Sequence, residues 1–62
     1  MSYSIENLKL IFKMAASAER DFRADLESEE LSDIGATYLS RAFDEVSSLK
    51  IATQKLIQEQ SA

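Results

Sequence analysis

The chain has 62 residues, with seven Lys and Arg against eleven Asp and Glu, a formal net charge of -4, one Gly, and no Pro, Cys or His. That length allows one small domain at most, hiding only about 60% of its unfolded surface. Without Cys or His, a disulfide, a thiol nucleophile, an imidazole base and the common soft-metal ligands are all excluded, so association is the remaining way to secure so small a fold.

The acidic balance argues against a broad phosphate-binding surface, which needs clustered Lys and Arg. A hydrophobic content of 45% is too high for a disordered chain. No run approaches the roughly 18 apolar residues of a membrane-spanning helix. The opening Met1-Ser2-Tyr3-Ser4-Ile5-Glu6 lacks the charged region and apolar core of a leader. The expectation is a cytoplasmic protein with no membrane role.

Helix 1 is expected at about residues 4–27. Ser4 suits an N-cap and Glu6 suits the first turn. Ile5, Leu8, Phe12, Ala15, Glu19, Phe22 and Leu26 follow alternating steps of three and four, the seam of an amphipathic helix. Glu19–Arg23 and Arg23–Glu27 are i,i+4 pairs that support it modestly. Leu10, Ile11, Met14, Ala16 and Ala18 add apolar surface beyond this seam. A helix greasy over so much of its circumference is ordinarily buried on several sides.

The stretch from Asp25 to Asp33 holds five acids and no base. A turn is expected at about residues 28–32, with Ser28, Ser32 and Asp33 as capping candidates. One uninterrupted coiled-coil helix is the competing arrangement, but continuing the first heptad would put Glu29 and Asp33 in core positions.

Helix 2 is expected at about residues 33–59. Its seam reads Leu39, Ala42, Val46, Leu49, Thr53 and Leu56, broadened by Tyr38, Phe43 and Ile57. Arg41 is placed to pair with Asp44 or Glu45. Lys50 and Lys55 suit the C-terminal end of the helix dipole. The expected fold is all-α: an antiparallel two-helix hairpin that pairs into a homodimeric four-helix bundle. Its core is expected at Leu8, Phe12, Phe22, Leu26, Leu39, Val46, Leu49 and Leu56.

Catalysis finds no support. Nine Ser residues stand without any His, and no Gly-rich phosphate loop occurs. The adjacent pairs Glu29-Glu30 and Asp44-Glu45 would point about 100° apart on a helix and share no site. The acidic middle lacks the spacing of a calcium loop, so neither metal nor cofactor is expected, nor a small-molecule substrate.

Glu19 is the one acid on the first seam. A buried carboxylate is costly unless paired, so Glu19 is expected to reach solvent at the edge of the bundle or to pair with Arg23 or Arg20, in which case Glu19 and Arg23 form a register-setting pair. Leu10, Ile11 and Met14 on helix 1, with Tyr38 and Phe43 on helix 2, are the candidate protein-contact residues, because contiguous apolar surface and aromatic anchors mark interfaces. The functional expectation is a small non-enzymatic interaction module: a regulator, inhibitor or chaperone-like adaptor, of a size common in bacteria and their phages. Its partners would be a second copy and another protein. The alternatives are a dimeric hairpin that binds RNA through Lys9, Lys13 and Arg20, which the acidic balance disfavours, or a structural oligomer in a larger assembly.

Overall fold

The computed structural model describes residues 4–28 and 30–61; Glu29 and the first three residues, on which two of the expectations above fall, lie outside the described residues. It is all-helical, with two helices packed against each other. Helix α1 runs Ile5–Leu26 and α2 runs Asp33–Ser61. Among the described residues no helix is long and apolar enough to cross a membrane.

Each boundary has a local cause. Ser4 adopts an extended backbone, φ -65° and ψ 126°, and its hydroxyl accepts the Asn7 N–H at 3.4 Å. The Leu8 N–H donates to the Ser4 carbonyl at 3.0 Å, closing the first helical ring. At the other end the Glu27 N–H still reaches the Arg23 carbonyl, at 3.2 Å, and Ser28 donates to Asp25 at 3.1 Å. The Ser28 hydroxyl accepts the Glu30 N–H at 3.3 Å and so belongs to the turn. Ser32 caps α2: its hydroxyl accepts the Gly35 N–H at 3.1 Å and its carbonyl accepts the Ala36 N–H at 2.8 Å. Asp33 then places a carboxylate in the first turn of α2, where the dipole favours it.

The helices are antiparallel. Glu19 meets Ser47 and Lys50, while Arg23, further along α1, meets Phe43, further back along α2. With 22 residues against 29, α2 outruns α1, and this register leaves its first turns beyond the end of α1. There Leu31 covers Gly35: a methyl group added at Gly35 would lie 3.1 Å from the Leu31 Cδ1. The result is a rod of 44 × 16 × 14 Å.

The shared core is thin. Leu8, Ala15 and Thr53 are buried, and no larger side chain is fully enclosed. Phe12, Phe22, Leu26, Leu39, Val46 and Leu56 lie partly buried along the seam. Thr53 tolerates its position because its hydroxyl donates back to the Leu49 and Lys50 carbonyls, at 2.8 and 3.0 Å.

Three expectations are corrected. Leu49, placed in the core by its spacing, is 46% exposed. Lys50 takes the inward position instead, because Glu19 on α1 needs a cation and Lys50 can face it. Phe43, expected to point outward toward a partner, is partly buried beneath the Arg23 guanidinium, which sits 5.5 Å from its ring centre. Arg41 pairs with neither Asp44 nor Glu45 and stays exposed among the described residues.

Candidate docking face

The polar centre of the seam is built around Glu19. Its carboxylate accepts from the Lys50 ammonium at 2.8 Å and from the Ser47 hydroxyl at 2.7 Å. Arg23 approaches only to 3.9 Å, too far for a strong charged hydrogen bond. The Glu19 side chain is 12% exposed, yet it is fully partnered, and no buried side-chain polar atom among the described residues lacks a partner. Donation first from Lys50 and then from Ser47 holds the Glu19 carboxyl below its ordinary value. The expected partner within α1 is therefore secondary to one across the hairpin. Lys50 lies four residues after Val46 and three before Thr53, but its spacing alone does not single it out, because its partner Glu19 lies on the other helix.

The two long sides of the hairpin differ. Along one, Phe12 and Ile57 form a shallow floor lipped by Lys9, Gln54 and Gln58. These polar groups shield the apolar floor from water, as long amphipathic side chains do. Lys9, Lys13, Arg20 and Arg23 all fall on this flank of α1 at about 100° per residue.

Along the other side an apolar groove lies open between the helices. Ile11, Met14, Ala15 and Ala18 line it from α1, and Val46 and Leu49 from α2. Its lining contains no charged residue. Met14 is 63% exposed and Leu10, one turn before it, 56%. Tyr38 lies on the same flank of α2 as Leu49 and is also exposed, carrying the apolar strip toward the turn. Of the five residues expected to contact a partner, the structure places Ile11 and Met14 in the groove, leaves Tyr38 exposed on the same flank, turns Leu10 to the outer face of α1, about 200° round from buried Leu8, and withdraws Phe43. Leu49 joins Ile11 and Met14. Ile34, one turn before Tyr38, and Ile51, on the outer face of α2, are further exposed apolar residues that the spacing did not single out.

The chemistry of this face is burial. Its members are thioether, aliphatic and aromatic groups, the types that supply interface energy when water is excluded. Among the described residues no group of three or more Asp and Glu converges as a metal site would. Comparison with protein-family models, curated proteins and solved structures finds no significant match to this chain.

Proposed function

We propose that the chain is a small non-enzymatic protein-interaction module that docks its apolar face on a protein surface, and that two copies dock on each other as a homodimeric four-helix bundle. The supporting observation is the charge-free groove lined by Ile11, Met14, Ala18, Val46 and Leu49. The mode is helix-in-groove: residues spaced three and four apart on α1 enter the groove of the partner while charged residues stay at the rim. A regulator, inhibitor or chaperone-like adaptor acts in this way, by occupying a surface and not by chemistry. The site of action we assign is the cytoplasm, where a chain without cysteine loses nothing by the reducing conditions.

Light scattering on the purified chain at micromolar concentration tests the reading. The expected particle has twice the 7.0 kDa mass of the chain, and Met14→Ser, in the groove, shifts it toward the single-chain mass while helix content is retained. A folded single chain whose mass does not change with concentration, in both proteins, would refute it.

A second reading, RNA binding, is favoured by Lys9, Lys13 and Arg20, none of which has a carboxylate within ion-pair reach among the described residues. Phosphate contacts would show as an affinity falling steeply between about 50 and 200 mM salt.

A further inference from the structure

The occupant of the groove, and the way round it binds, follow from area and charge. The chain exposes 4988 Å², whereas a folded chain of its mass ordinarily exposes about 4000 Å². The excess, about 1000 Å², is close to the roughly 800 Å² that each partner contributes to a stable interface. A second copy supplies a matching face because it carries the same groove.

Charge then selects the orientation. The hairpin is divided across its length near the level of Ser17 and Lys50. In the half that ends in the turn, residues 17–49, nine acids stand against Arg20, Arg23 and Arg41, a net -6. In the open half, residues 4–16 and 50–61, Glu6 and Glu59 stand against Lys9, Lys13, Lys50 and Lys55, a net +2. Setting aside the Glu19–Lys50 ion pair, which spans the division, leaves -5 and +1. Two hairpins side by side with their turns at the same end would lay the two acidic halves together. Lys9 and Lys13 lie on the far flank, so the contrast across the groove rests on the acids: reversing one copy moves Asp21, Asp25 and Glu45, on the groove flank of the turn half, away from the same residues of its mate. Charges on helices that face each other across the interface lie about 8–10 Å apart, comparable with the screening length of ordinary buffers, so the contrast is damped but persists there. The groove lies close to the division, so reversing one copy still superposes the apolar faces.

We propose that the face is covered by a second copy of this chain running in the opposite direction, with the two turns at opposite ends of the bundle. This rests on the docking reading above and adds the direction in which the second copy runs.

The chain has no cysteine, so a spin label at Glu27→Cys, an exposed position at the end of α1, reports on one site per copy. With a two-fold axis near the level of Met14 and Leu49, the labelled positions lie roughly 30 Å apart at 1.5 Å rise per residue. With turns side by side they fall within about 15 Å, the width of neighbouring packed helices. A distance distribution centred near 30 Å or beyond supports the proposal. A short distance, or ready disulfide formation between copies on oxidation, overturns the reversed orientation and leaves the docking reading intact. Absence of any coupling, with single-chain mass in the same sample, overturns both.

Discussion

Met14 separates folding from association better than any other position. It is 63% exposed in the single hairpin, so its side chain does little for the contact between α1 and α2. Full burial of a Met side chain is worth about 1.5–3 kcal/mol. Covering the exposed 63% therefore supplies about 1–2 kcal/mol per copy. In a symmetric dimer the loss is counted twice, so Met14→Ala removes about 2–4 kcal/mol of association energy. At about 1.4 kcal/mol per tenfold, that weakens the dimer about 30-fold to several hundred-fold. Met14→Glu is harsher, because each copy would also desolvate an unpaired carboxylate. Sedimentation equilibrium across a hundred-fold range of concentration reads the association constant, and circular dichroism reads helix content in the same samples. The expected series is wild type tightest, Met14→Ala intermediate and Met14→Glu monomeric at micromolar concentration. Equal association constants for all three would refute the assignment of this face as an interface.

Leu8 and Leu49 should behave differently despite similar spacing in their helices. Leu8→Ala opens a hole in the seam and should cost roughly 2–5 kcal/mol of stability in a denaturant melt, whereas Leu49→Ala should mainly weaken association, because Leu49 faces the groove. Ser32→Ala removes the cap of α2 and should cost about 1 kcal/mol, seen as a lower melting midpoint at fixed concentration. Glu19 sets an acid limb: its folded value is lowered from 4.5, so the stability it contributes is present above that value and is lost as pH falls through the still lower folded one. Glu19→Gln should flatten that limb in melts taken from pH 6 down to pH 2, and an unchanged limb would show that the contact with Lys50 and Ser47 does not persist in solution.

How the sequence maps onto the hairpin depends on what each residue responds to. The capping serines act within one turn of chain, so Ser4 and Ser32 could be picked out from their neighbours alone. The α1 seam was legible because Leu8, Phe12, Ala15 and Phe22 follow one unbroken spacing, and burial there depends only on which face points inward. On α2 two stripes compete: one through Leu49 and Leu56, another through Lys50 and Ile57. Apolar spacing favours the first. The structure turns the middle of the helix toward the second, because a carboxylate on the opposite seam needs a cation more than the groove side needs a leucine. That choice couples residues 31 apart and cannot be read from either helix alone. Phe43 went astray for the same reason: its fate is decided by Arg23 across the hairpin. The docking face follows directly from this rotation, since Leu49 is released to join Ile11 and Met14.

Two helices of this length leave more apolar surface than they can cover, so association with a second copy adds stability to the fold. Thermal unfolding at a series of chain concentrations tests it most directly. The melting midpoint should rise steadily with concentration, as mass action requires for a fold stabilised by its own copy. A cooperative transition with the same midpoint from nanomolar to millimolar would contradict it.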